Sequence, residues 1–153
     1  MSTLSQNESS VALIRPARKE DINFIFDSWL KSWRKSRYAG VIPNHLYYAT
    51  YRATIESLVA RGAELNVACH AQNEDHILGW SCTEVTSDGF SVLHYCYTKD
   101  PFIGLQIDHA LLDEMPGQKP GFYTFNYPQV KDALESRFPG TRWQWAPEVA
   151  RRK

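Results

Sequence analysis

The 153-residue chain predicts one α/β domain: a mixed, mostly antiparallel sheet flanked by helices, in the order β-α-α-β-β-β-α-β-α-β. Three observations predict it. Apolar residues between Ile22 and Trp33 recur at helical spacing. Three apolar, strand-like runs follow one another between Leu65 and Tyr97. Helix-like and strand-like stretches then alternate to the end of the chain.

Val11 to Arg15 is a short apolar run closed by Pro16, which reads as a first strand. Ile22, Ile25, Phe26, Trp29, Leu30 and Trp33 then fall on one helical face. Glu20 and Asp21 at its start and Lys31, Arg34 and Lys35 at its end suit the helix dipole. Gly40 and Pro43 interrupt the chain. A second helix runs from Asn44, a cap residue, to Ala60, and Gly62 ends it. Leu65 to His70, Ile77 to Glu84 and Phe90 to Tyr97 are predicted as an antiparallel meander. The polar segment Ala71 to His76 joins the first two, and Asp88-Gly89 turns between the last two. Lys99-Asp100-Pro101 breaks the third run. Leu105 to Met115 is predicted as a helix, and Pro116, Gly117, Pro120 and Gly121 as the next connection. Phe122 to Phe125 reads as a strand. Pro128 suits the first turn of a helix that continues through Val130, Ala133, Leu134 and Phe138. Arg142 to Ala146 alternates like a last strand, with Trp143 and Trp145 on one face, where core or interface packing accounts for them. Residues 1–10 are predicted as a loose leader, 11–150 as the domain and 151–153 as a solvated basic tail.

Lys+Arg and Asp+Glu both number 17, so the chain lacks the basic footprint of a dedicated nucleic-acid binder. Zero net charge also gives little protection against association, so a homo-oligomer or a docked state is an open expectation. Cys69, Cys82 and Cys96 are odd in number and widely spaced, which argues against a disulfide framework or a zinc site and for a reducing compartment. The polar start carries no signal-peptide pattern, and no stretch approaches 18 apolar residues, so a cytoplasmic protein is expected.

The element order and two segments resemble the GCN5-related N-acetyltransferase (GNAT) superfamily. The first is Ile14-Arg15-Pro16-Ala17-Arg18-Lys19-Glu20-Asp21, similar to the family's "IRPA..eD" passage from first strand to first helix. The second, Leu93 to Leu112, has the length and apolar pattern of the family's acetyl-CoA segment: a strand, a loop, and a helix ending in "ALL". The likeness spans Ile14 to Phe138. The general cast and Tyr123-Thr124 also resemble small acetyltransferase-like proteins of tailed phages.

This resemblance implies acetyl-CoA as cofactor, its pyrophosphate held by backbone N–H groups of a loop that opens a helix. The loop needs small residues for close approach, and the family pattern is Arg/Gln-x-x-Gly-x-Gly/Ala. Here the ungapped register reads Ile103-Gly104-Leu105-Gln106-Ile107-Asp108. Ile103 supplies no polar contact, Gln106 stands at the first small position, and Asp108 puts a carboxylate at the second. Two like charges ~6 Å apart at an effective dielectric constant of ~20 repel by roughly 3 kcal/mol, more than a hundredfold in affinity. Lys99 and His109 are candidates to compensate. Tyr97, Lys99, Gly104, Gln106 and Asp108 are therefore the candidate cofactor residues, with Gly104 serving if the loop is shifted by two.

Acetyl transfer to an amine needs a base for the ammonium and an acid for the leaving thiolate. The resemblance implies a Tyr acid in the helix after the fifth strand. Asn126 fits that pattern, but the Tyr position carries Leu134; Tyr127 and Tyr123 lie nearby, out of register. Glu84 and His94 are the candidate bases, and Tyr127 the candidate acid. Strand alternation places Val92, His94 and Cys96 on one face and Leu93, Tyr95 and Tyr97 on the other. Cys96 has no His/Asp support for a nucleophilic role. Lys31 to Arg37 holds four cations in seven residues, and Tyr38, Tyr47, Tyr48 and Tyr51 cluster around the second helix, where the resembled fold lines its acceptor cleft.

Two function classes follow. One is a non-catalytic scaffold or protein-binding component with a degenerate coenzyme A loop, expected in a phage assembly or in the host cytoplasm. The other is an acetyl-CoA-dependent N-acetyltransferase acting on an amine of a small molecule or protein.

Overall fold

The computed structural model describes residues 12–32 and 43–151. Among these, six strands form one sheet in the order β1-β2-β3-β4-β5-β6. The strands are β1 (Ala12–Pro16), β2 (Glu64–His70), β3 (Asn73–Val85), β4 (Phe90–Thr98), β5 (Lys119–Tyr123) and β6 (Gln144–Trp145). The first four pair antiparallel, and β5 and β6 add parallel to β4. Helices α1 (Ile22–Lys31), α2 (Asn44–Ala60), α3 (Ile107–Asp113) and α4 (Pro128–Arg137) flank it. The two parallel additions need crossovers, and α3 and α4 supply them. The predicted fold class holds, and α2 has the predicted bounds.

The apolar stripe of α1 packs on the sheet through aromatic rings. Trp29 lies 5.1 Å from Trp80, 5.5 Å from Tyr95 and 5.2 Å from Phe125, centroid to centroid. On the other face, α3 packs against β1 to β4. Gly79 allows this approach: a Cβ there would stand 2.3 Å from the Tyr97 carbonyl oxygen and 3.2 Å from Ile107 Cγ2. Cys69, Cys82 and Cys96 are free and buried, as small apolar side chains.

Several predicted boundaries are corrected. Asn73 to His76 belongs to β3, because His70 pairs with Asn73 across a two-residue turn and the strand overhangs its partner. Pro120 and Gly121 lie inside β5, where the ladder with β4 skips between Phe90 and Val92; a proline without N–H is tolerated at such an irregularity. The predicted helix Leu105 to Met115 is shorter at both ends, and the last strand shrinks to two residues. Arg151 ends a 3-10 turn, Pro147–Arg151, that packs on α2. The predicted leader, and Trp33 to Tyr38 with most of the predicted cationic cluster, lie outside the described residues.

Candidate functional site

The sheet opens in the middle of β4. Cys82 pairs with Tyr95 and Thr83 with Leu93, so His94 is an extra residue, a β-bulge. The bulge breaks the alternation predicted for this strand. Val92 keeps to the face of Glu84, where both line one cavity, and Cys96 turns to the face of α3 beside Ile107. Tyr97 lies against Phe24 of α1 and Trp80. Val92, His94 and Cys96 therefore do not share a face. Beyond the bulge β4 and β5 part. β5 pairs with β4 at Phe90, Val92 and Leu93, and the contact ends where Thr124 N donates to Leu93 O at 3.3 Å.

Glu84 and His94, ten residues apart in the sequence, meet at the bulge. His94 is fully buried; its Nε2 lies 2.6 Å from Glu84 Oε1 and its Nδ1 lies 2.7 Å from Thr124 Oγ1. Arg61, just past the end of α2, donates from Nε to Glu84 Oε2 at 3.0 Å and from Nη2 to Glu84 Oε1 and to Val149 O. Burial pushes the Glu84 carboxyl up, but the hydrogen bonds from His94 and Arg61 together outweigh it and bring it down to about 2. Burial pushes His94 down, against the raising effect of Glu84, and the net shift is downward. His94 is then neutral at pH 7 beside an ionised carboxylate. A carboxylate only accepts, so Nε2 carries the proton and Nδ1 accepts from the Thr124 hydroxyl. The result is a relay of Arg61, Glu84, His94 and Thr124, opening at Glu84 into a cavity of about 400 Å³.

A depressed carboxyl contributes stability above its unfolded value, 4.5, and loses it as pH falls through about 2. Glu84→Gln is therefore expected to destabilise the protein at pH 7, with a gap that narrows as pH drops from 4.5 toward 2. Urea melts of both proteins at pH 7 and pH 3 check this, and a gap that stays constant rules it out.

On the other face, the end of β4, the β4–α3 loop and α4 enclose a groove of about 160 Å³. Cys96, Phe102, Ile103, Ile107 and Ala133 give it apolar walls; Thr98, Gln129, Asp108 and Asp132 are its polar lining. Gly104 lies at its edge with φ 96°. Gln106 takes φ 61°, the left-handed conformation that glycine adopts without strain, at the position where the family pattern has its first small residue. The backbone thus keeps a glycine conformation while the side chain has changed.

The predicted site residues divide between these places. Gly104 and Asp108 line the groove, and Gln106 caps α3 beside it. Tyr97 faces α1, and the Lys99 ammonium lies 4.9 Å from the Phe24 ring centroid rather than among the groove residues. His109 Nε2 lies 2.6 Å from Ser136 Oγ. Tyr127 is buried, edge-on to Tyr95 at 5.8 Å, and Leu134 is buried in the core. The Tyr95 hydroxyl donates to Gln129 Oε1 at 2.8 Å, which ties β4 to α4 past the end of its pairing with β5. Arg61, Gln129 and Asp132 carried no motif in the sequence, and Thr124 entered only through the Tyr123-Thr124 resemblance; all four matter through long-range contact.

The groove does not fit the pyrophosphate of coenzyme A. Two carboxylates line it, no lysine, arginine or histidine does among the described residues, and Gln106 replaces the small residue that close approach needs. Its volume is also below the roughly 300–1,000 Å³ of sites for drug-sized ligands.

No family model matches the chain, and no curated relative does. Solved structures do. A provisionally assigned acetyl transfer enzyme from Pyrococcus furiosus matches with a TM-score of 0.59 at 21% identity, covering 86% of this chain and 94% of its own. An aminoglycoside acetyltransferase, meta-AAC0020, from an uncultured soil metagenomic sample and solved with sisomicin, matches with a TM-score of 0.53 at 16% identity, covering 90% and 94%. The mixed six-stranded sheet and these likenesses agree: the chain has the GCN5-related N-acetyltransferase fold.

Proposed function

We propose that this chain uses the acetyltransferase fold as a protein-binding component and does not turn over acetyl-CoA. The carrying observation is the groove beside Gln106, whose charged lining among the described residues is Asp108 and Asp132. Fold and function separate readily, because function rests on the site. The phage assembly implied by the resemblance is the proposed setting, and the neutral net charge suits a docked state. Calorimetry at low salt tests the reading: acetyl-CoA is expected to give no binding heat at millimolar ligand with the protein folded. Micromolar binding would sink it.

One observation favours a second reading, acetyl transfer to an amine. Ionised Glu84, held by His94 at the bulge, opens into the cavity and is the proton acceptor of that reading. Acetyl-CoA binding, with amine acetylation lost in Glu84→Gln and His94→Gln proteins that remain folded, would establish that reading instead.

A further inference from the structure

We propose that the groove between the end of β4, the β4–α3 loop and α4 docks a partner-protein segment that presents one apolar side chain flanked by lysine or arginine. The inference rests on the protein-binding reading above and gives it a surface and a partner chemistry.

Size selects the apolar element. An apolar cavity of about 150 Å³ takes a benzene-sized group. The groove has about 160 Å³, walled by Phe102, Ile103, Ile107 and Ala133. It therefore suits one leucine or phenylalanine side chain. Charge selects the flanks. Asp108 and Asp132 stand in the lining, and neither has an ion-pair partner among the described residues. An acidic rim around an apolar pocket favours a cationic neighbour and rejects an anionic one. The exposed surface selects a protein over a small amine. Ile103 is 65% exposed and Leu105 54%, next to the groove in the same loop. A ligand confined to the groove would touch only the inner side of Ile103 and leave Leu105 in water, whereas a polypeptide crossing the loop covers both.

The test uses the full chain, labelled with ¹⁵N, and a capped peptide, Gly-Ser-Lys-Leu-Arg-Ser-Gly. A control peptide carries Glu on both sides of the Leu, and acetyl-CoA is titrated separately. The basic peptide is expected to shift amides of the β4–α3 loop and the first turns of α4, and the acidic peptide and acetyl-CoA are not. Asp108→Lys with Asp132→Lys is expected to weaken the basic peptide at least about tenfold. Asp132→Lys alone, at an exposed helix position, is expected to weaken it measurably and serves if the double variant misfolds. Absence of groove shifts at millimolar basic peptide, or binding that ignores both charge reversals, overturns the docking proposal and leaves the non-catalytic reading standing if acetyl-CoA is also silent. Groove shifts with acetyl-CoA overturn the non-catalytic reading itself, and the docking proposal with it.

Discussion

Replacing Asp21 by alanine is expected to destabilise the folded chain by about 3–5 kcal/mol, the effect of leaving one member of a buried ion pair without its partner. Asp21 is 5% exposed and Arg15 7%. Arg15 Nη1 donates to Asp21 Oδ2 at 2.7 Å and Nη2 to Oδ1 at 3.2 Å, a two-pronged contact. Arg15 Nη2 also donates to Glu74 O at 2.8 Å, and Arg18 N donates to Asp21 Oδ2 at 2.7 Å. The pair thus ties β1, the turn into α1 and the start of β3. The Arg15 hydrogen bond, against the opposing effect of burial, holds the Asp21 carboxyl below its usual range. At neutral pH the variant leaves a buried guanidinium uncompensated. Thermal melts should show a midpoint lower by roughly 10 °C for a domain of this size. Arg15→Met with Asp21→Leu should recover most of the loss, because a buried pair replaced by apolar side chains is often neutral. A single-variant loss below about 1 kcal/mol would show that water already reaches the pair.

Trp29→Ala should have a comparable effect, about 3–5 kcal/mol, the usual range for removing a buried large aromatic. Trp29 is 1% exposed and contacts three other rings among the described residues, so its loss opens a cavity between helix and sheet. Trp29→Phe should be far milder, below about 2 kcal/mol. It keeps a ring in place and removes an indole N–H that is buried without a hydrogen-bond partner among the described residues. Trp80 differs, since its Nε1 donates to Ser28 Oγ at 2.8 Å. Denaturant melts with near-ultraviolet circular dichroism measure both. Equal losses for Trp29→Ala and Trp29→Phe would mean that the indole itself, and not the filled volume, holds the cluster.

The elements that were legible in the sequence are those with local signals. α1 follows from its apolar stripe, α2 from Asn44 and Gly62, and the β3–β4 hairpin from Asp88-Gly89. The elements read wrongly depend on partners. β5 includes Pro120 and Gly121 because a neighbouring strand has an irregularity there, and the two-residue β6 exists through its pairing with β5. The site divides in the same way. The departures at Ile103, Gln106 and Asp108 are visible in the residues alone, because the family loop requires small residues and a polar first position. Asp132 and Gln129, which complete the groove, come from a helix more than twenty residues later.

Fold class, the burial of the cysteines and the spoiled phosphate loop are readable from the residues alone, since periodicity, turn residues and side-chain size act locally. The meeting of Glu84 and His94 is set by strand pairing. One extra residue in β4 reverses the alternation on which strand reading depends, and that bulge exists only in register with β3. The same pairing carries Cys96 to the groove face, apart from His94, and sets Thr124 within hydrogen-bond distance of the imidazole. Register is a property of two strands together, so no stretch of one strand could have disclosed it.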